Sequence, residues 1–205
     1  MMPEETLKTT LLEVARFYDQ QKVGDVGHLG FRRSSDLSRL LPVLDQLMAW
    51  CLLKHRESLF LDMGCADGRV NVLLSYIVMK SIGIELDEWT LDDYIPLRKD
   101  LENQLSHKNL RKPPRNISLF HGDVMEKNIH DRIKEQTGVR FEEYDFFYTY
   151  LTMQEEFAGM IARQAKKGAV YMVYGVERII PKHEGLRLLT PDHPLEGIVA
   201  VYQKM

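Results

Sequence analysis

The run Leu59-Phe60-Leu61-Asp62-Met63-Gly64-Cys65-Ala66-Asp67-Gly68-Arg69-Val70 constrains the fold more than any other part of the chain. Its apolar start suits a buried parallel strand, and the Val-, Leu- and Ile-rich run from Val70 to Val78 suits a helix packed on a sheet. Between them, Gly64 and Gly68 let the backbone turn sharply and let a ligand approach main-chain N–H groups near a helix N-terminus. A strand, a glycine turn and a helix in that order are how α/β units with parallel sheets begin.

The spacing separates the ligands such a turn can hold. A dinucleotide loop needs G-x-G-x-x-G, and Ala66 stands where its second glycine would be. A P-loop ends in Gly-Lys-Ser/Thr, whereas Gly68 is followed by Arg69-Val70. What remains is Asp-x-Gly-x-x-x-Gly after an apolar strand. This pattern resembles the first motif of class I S-adenosylmethionine (SAM) dependent methyltransferases. Their ligand, a zwitterionic amino acid joined to adenosine, carries no phosphate, so a carboxylate at the strand end is useful rather than repulsive. The resemblance implies that Asp62, Gly64, Cys65, Ala66 and Gly68 bind the cofactor.

Two further acids follow in order. Glu85, in Ser81-Ile82-Gly83-Ile84-Glu85-Leu86-Asp87, lies about 20 residues beyond the loop, where doubly wound folds place the group that binds ribose hydroxyls. Asp123 ends the apolar run Ile117 to His121 through Gly122, and the family commonly uses an acid there to receive the adenine amino group. Leu86 and Val124 are the flanking cofactor contacts that the resemblance implies. The other reading is a Rossmann-like domain whose acids only cap helices.

At 205 residues, 44% hydrophobic and 28% charged, the chain is long enough for one domain with a substantial core. Cys51 and Cys65 fall in an expected helix and in the glycine loop, which fits a reducing compartment and not a disulfide framework. The seven histidines are scattered, with no C-x-x-C or His/Cys cluster, so no metal site is expected. The acidic start Met1-Met2-Pro3-Glu4-Glu5 and the lack of a membrane-length apolar run lead to the expectation of a cytoplasmic protein without a membrane span. A net charge of -3 gives no global reason to expect nucleic acid. The basic stretch His107 to Arg115 contains Pro113-Pro114 and reads as a solvated loop rather than an anion site.

Ahead of the glycine loop, Leu7, Leu11, Val14 and Tyr18 recur at helical spacing over residues 5–18. The glycine-rich stretch 23–33 is expected to be neither helix nor strand. His28 and Phe31 within it are either lid residues, as the family resemblance allows, or parts of a plain connection. Ser34 or Ser35 is expected to cap a helix carrying Leu37, Leu40, Leu44 and Leu47 on one face, with Pro42 kinking it. After Glu85 a long polar helix is expected over 88–110, with Leu91, Ile95, Leu101 and Leu105 toward the sheet and Pro96 disturbing its early turns. Trp89 either borders an adenine or packs this helix on the sheet. Helices 126–138 and 152–166 alternate with strands 144–150 and 169–174, which predicts a parallel sheet with right-handed crossovers. The gap from Val176 to Gly185 is too short for a full crossover, so 186–189 and 197–202 are expected to end the sheet antiparallel.

Ligands bind beyond the carboxyl ends of strands in open α/β sheets, which points to Tyr148-Thr149-Tyr150-Leu151-Thr152 as the residues facing a transferred methyl group. The Asn/Asp-Pro-Pro-Tyr/Phe box of adenine-amino methylases is absent, and neither cysteine lies where cytosine-carbon methylation needs its nucleophile. Tyr148 and Tyr150 are the catalytic candidates, because their rings attract an ammonium and their hydroxyls can hold an amine that has lost its proton. The other reading makes them strand-end core aromatics.

Around these motifs, the Gly-Phe-Arg-Arg-Ser-Ser run at 30–35, Asp67-Gly68-Arg69, Gly83-Ile84-Glu85-Leu86 and the short finish resemble the non-SET protein-lysine methyltransferases. The likeness is in particular to the family that methylates a mitochondrial ATP-synthase subunit and its prokaryotic relatives, over about residues 30–203. Asp62-Met63-Gly64-Cys65 stands where those relatives more often have Asp-Leu-Gly-Ser, and their membrane anchor and their proline after strand four are lacking. These departures speak against a membrane-protein target.

The expectation is a class I, doubly wound α/β methyltransferase with a mostly parallel seven-stranded sheet, N-terminal helices and a short antiparallel finish. Residues 1–54 form the N-terminal helices and lid segment and 55–205 the SAM-binding Rossmann-like domain, one compact unit together. S-adenosyl-L-methionine is the expected cofactor, with no metal. The acceptor is a nucleophilic nitrogen such as a protein lysine, or alternatively a small-molecule nitrogen or oxygen. The alternative of another class is a non-catalytic SAM-fold partner subunit.

Overall fold

The structure, a computed structural model, describes residues 5–27, 30–32, 34–177, 179–190 and 193–205. Helix α1 (Glu5–Asp19) leads into a two-stranded ribbon, β1 (Val23–Gly27) and β2 (Gly30–Arg32), and then α2 (Leu37–Ala49). The glycine-loop unit is β3 (Leu59–Met63) and α3 (Arg69–Ser75), followed by β4 (Lys80–Glu85), α4 (Glu88–Asp92), α5 (Tyr94–His107) and β5 (Ile117–His121). The chain continues through α6 (Lys127–Thr137), β6 (Phe146–Tyr150), α7 (Gln154–Gln164) and β7 (Val170–Tyr174) to β8 (Leu186–Leu188) and β9 (Val199–Lys204).

The main sheet has seven strands in the order β5-β4-β3-β6-β7-β9-β8. Pairings from β5 through β7 are parallel, and β9 runs antiparallel to both β7 and β8. From β3 the chain winds outward through β4 to β5, then returns to the other side of β3 as β6. The carboxyl ends of β3, β4 and β6 therefore surround a topological switch point, the place where open α/β sheets take ligands. Register sets Asp62 beside Gly83 on β4 and Tyr148 on β6, and Glu85 beside His121 on β5.

Period-two alternation divides each central strand between two cores. Phe60, Phe146, Tyr148, Met172 and Val201 face a core filled by Leu11, Val14 and Tyr18 of α1, Leu40, Leu44 and Leu47 of α2, and α3 and α5. Leu61, Phe147, Tyr171, Val173 and Ala200 face Ile129 and Ile133 of α6 and Phe157 and Ile161 of α7. Covering on both faces explains why β3, β6 and β7 read as near-continuous apolar runs, polar only at Asp62 and Thr149. Helix α1 is also tied to α5 by Glu13, buried on α1, which accepts from Gln104 and pairs with Lys108.

Several sequence expectations need correction. Residues 23–27 and 30–32 form paired strands despite their glycines, with Val23 opposite Arg32 and Gly27 opposite Gly30. The expected lid residues His28 and Phe31 lie outside the described residues and side chains. The cap of α2 is Asp36, whose carboxylate accepts from the Arg39 N–H at 3.0 Å. Ser34 and Ser35 do not cap it because both hydroxyls have tertiary partners. Pro42 does not restart α2, which runs through it unbroken with Leu40, Val43, Leu44 and Leu47 buried.

The long helix expected over 88–110 is two helices divided at Asp93. Pro96 falls in the first turn of α5, where a missing N–H costs nothing. Ile95, expected toward the sheet, is 68% exposed, while Leu101 and Leu105 are buried as expected. Trp89 is 84% exposed and does not pack its helix on the sheet. The stretch 176–185 carries no helix among its described residues, and β8 and β9 form the antiparallel finish.

Candidate cofactor and active site

The loop after β3 is fastened to β4 by its backbone. Gly64 N–H and Cys65 N–H both donate to the Ile84 carbonyl at 2.9 Å, and Gly68 N–H closes the turn onto the Cys65 carbonyl at 2.8 Å. Ala66 has a φ of +49°, a left-handed conformation that costs a residue with a Cβ about 1–2 kcal/mol. Glu85 compensates: one carboxylate oxygen accepts from Ala66 N–H at 2.8 Å and the other from Asp87 N–H at 3.0 Å. Glu85 thus holds the glycine loop from the end of the neighbouring strand.

Gly68 serves packing. Its φ is +74°, and a Cβ there would sit 2.6 Å from Leu119 and 2.9 Å from the Tyr94 ring. It does not line the cleft, so the close approach that the sequence reading gave to a ligand is made by protein side chains. Gly83, which sequence reasoning missed, lets the loop lie on β4, since a Cβ would meet Cys65 Cβ at 2.8 Å and Asn71 Oδ1 at 2.7 Å. A glycine inside an apolar strand signals such an approach.

Three acids surround the loop, and each is solvated differently. Asp67 is buried and paired with Arg69 at 2.8 Å. That guanidinium also donates to Ser34 Oγ at 3.0 Å and to the Gln21 carbonyl at 3.3 Å, linking the glycine loop to both ends of the β1–β2 ribbon. Glu85 accepts backbone N–H groups. Asp62 is 1% exposed, and neither of its carboxyl oxygens has a hydrogen-bond partner among the described residues. Burial raises its carboxyl well above the usual carboxylate range, and the charges of Glu85 and Asp67 push the same way. Burial and Asp62 likewise push the Cys65 thiol up, so this cysteine is a neutral packing group and no thiolate nucleophile.

These elements enclose a cleft of about 350 Å³. Asp62, Gly64, Cys65, Ala66 and Glu85 line one end, and Leu86, Asp123 and Val124 line the side formed by β4 and β5. Asp123 is half-buried and turns its own loop by accepting from Met125 N–H at 2.8 Å. Leu86 is 66% exposed, leaving apolar surface at the rim.

Tyr148, Thr149 and Tyr150 line the other end with Thr152, Met153 and Phe157. Tyr148 is buried and its hydroxyl pairs with Ser35 Oγ. Burial, with Asp62 nearby, pushes this phenol well above its ordinary range, so Tyr148 keeps its proton and cannot serve as a general base at neutral pH. Tyr150 is half-buried, its ring 5.6 Å from that of Tyr174, whose hydroxyl accepts from Asp36 N–H at 3.2 Å. Ser34, Ser35 and Asp36 in succession therefore bond to Arg69, Tyr148 and Tyr174. The two serines line the cleft as well, a role sequence reasoning missed. Thr149 Oγ1 donates to the Met63 carbonyl at 2.9 Å and ties the ends of β6 and β3.

Among the described residues, no group of three or more His, Cys, Asp or Glu side chains could hold a metal ion, and no helix is long and apolar enough to cross a membrane. No family model and no curated protein matches the sequence. Solved structures share the fold. An Escherichia coli protein provisionally named a methyltransferase is 14% identical, with a TM-score of 0.52 over 84% of this chain and 88% of its own. A Klebsiella pneumoniae protein provisionally named an O-methyltransferase is 12% identical, with a TM-score of 0.51 over 100% of this chain and 91% of its own. A Haemophilus influenzae protein provisionally named a methylase is 16% identical, with a TM-score of 0.50 over 80% of this chain and 97% of its own. The chain has the Rossmann-like fold of these proteins: helices flanking a mostly parallel seven-stranded sheet that ends antiparallel.

Proposed function

We propose that the chain is a SAM-dependent methyltransferase acting on a nucleophilic nitrogen, with protein lysine as the acceptor. The observation that carries the cofactor reading is Asp62, a buried carboxyl without a hydrogen-bond partner that lines the cleft beside a glycine loop. Such a group calls for a cation or a donor from a ligand. The cleft also holds Glu85 and Asp123, and among the described residues the guanidinium that lines it, Arg69, is occupied by Asp67. This charge balance suits a cofactor with cationic groups and hydroxyls and repels a pyrophosphate.

In this reading Asp62 and the loop face the amino-acid end of the cofactor, Glu85 accepts from the ribose, and Asp123 accepts from the adenine amino group between Leu86 and Val124. Bound SAM supplies a methyl group on a sulfonium, already activated for in-line displacement. The residues of the chain need only align the acceptor, exclude water and hold the amine in its neutral form. Tyr150 offers its ring face to an ammonium. Tyr148, fixed by Ser35 and protonated, offers a hydroxyl that orients the amine but does not remove its proton.

The acceptor is tested by incubating the protein with methyl-labelled SAM and a lysate split into protein and metabolite fractions, followed by mass spectrometry. Label on lysine side chains is the expected result. Label confined to metabolites would replace the lysine acceptor with a small molecule, and binding without label in either fraction would make the chain a non-catalytic SAM-binding subunit.

A further inference from the structure

The three acids at the glycine loop differ in what offsets their charge. Asp67 has a guanidinium at 2.8 Å and Glu85 has two backbone N–H donors, but Asp62 has neither a cation nor a donor among the described residues. Among the described residues, the titratable groups facing Asp62 are Glu85 from β4, Asp67 and Cys65 from the loop, and Tyr148 from β6. Two of these are acids, and the other two are a thiol and a phenol that keep their protons. Arg69 is turned to Asp67, Ser34 and Gln21. An ionised carboxylate at such a point would be desolvated, unpaired and repelled, so the empty cleft favours the neutral acid.

We propose that Asp62 is a proton-coupled receptor for a cationic group: it is a neutral acid while the cleft is empty and ionises when a cationic ligand reaches it. The Asp62 O–H bond breaks, its proton passes to the buffer, and the carboxylate left behind is paired by the ligand's positive charge, so nothing is oxidised or reduced. The inference rests on the cofactor reading above and adds that cofactor affinity rises with pH across the range in which empty Asp62 is protonated. It also gives the cleft selectivity. A neutral adenosine compound gains nothing from displacing this proton, whereas a cationic one gains an ion pair in a site of low dielectric.

The test is calorimetric titration of the protein with SAM, in buffers of different ionisation enthalpy, over about pH 5.5 to 8. The dependence of the observed heat on the buffer gives the protons released. The proposal predicts release approaching about one proton per site at the acid end, with Kd falling by up to about tenfold per pH unit there. It predicts that Asp62→Asn, which copies the neutral acid in shape, binds more weakly with no release and no such pH slope. Binding by the wild type without release, or equal release by Asp62→Asn, would overturn the proposal and leave the cofactor reading standing. A failure to bind SAM at every pH would overturn both.

Thermal melting of the ligand-free proteins supplies a second measurement. Native Asp62 holds a proton that the unfolded chain loses above the ordinary carboxylate range, so wild-type stability falls as pH rises through the native value. Asp62→Asn should lack that fall and melt no lower than the wild type near neutral pH. A variant markedly less stable than the wild type at that pH would contradict a neutral Asp62.

Discussion

Ala66 and Glu85 define each other. The left-handed Ala66 is held by a carboxylate that reaches it from the adjoining strand, so the acid expected to bind ribose also shapes the loop that would hold the rest of the cofactor. Glu85→Ala should weaken SAM binding by about 1.5–3 kcal/mol, through loss of a charged acceptor. Calorimetry on a variant shown to be folded reads this, and an unchanged affinity would remove Glu85 from the site. Tyr148→Phe and Tyr150→Phe should leave cofactor affinity near the wild-type value while slowing methyl transfer, since a hydroxyl facing the acceptor acts on the transition state. Wild-type transfer rates in both variants would make these tyrosines packing residues. The cleft acids were legible because their order and spacing follow strand ends. The Ser35–Tyr148 pair was not, since its members lie 113 positions apart and only the folded sheet brings them together.

At the scale of elements, the glycine loop works as the joint between β3, α3, β5 and α5. Gly68→Ala places a Cβ against Leu119 and Tyr94 in a left-handed backbone, and should destabilise the protein by about 1–3 kcal/mol. A denaturant midpoint equal to that of the wild type would contradict this packing role. Strands such as Phe146–Tyr150 and Val170–Tyr174 were readable because both sheet faces are covered and favour near-continuous apolar residues. The break at Asp93 was harder to read. Pro96 announces an interruption but not its place, and the helix restarts so that proline falls in the tolerant first turn. The β1–β2 ribbon was misread because glycine content argues against a buried strand, whereas a ribbon pairs through its backbone.

At the scale of the whole molecule, winding in two directions from β3 brings Asp62, Glu85 and Tyr148 to one end of the sheet from widely separated parts of the chain. The alternation of strands and helices, together with the short interval after β7, made this topology and its antiparallel finish legible in the sequence. Attachment of the N-terminal helices to the cleft was not legible. It runs through Arg69, which joins the glycine loop to Gln21 and Ser34, and through Asp19, which accepts from the first N–H groups of α2. We propose that this end of the sheet binds SAM. The most direct test is calorimetric titration of the purified chain with SAM, S-adenosylhomocysteine, NAD and ATP. Saturable binding of the first two, with no heat from NAD or ATP, is the predicted result. Tight binding of NAD, or binding of none of the four, would contradict it.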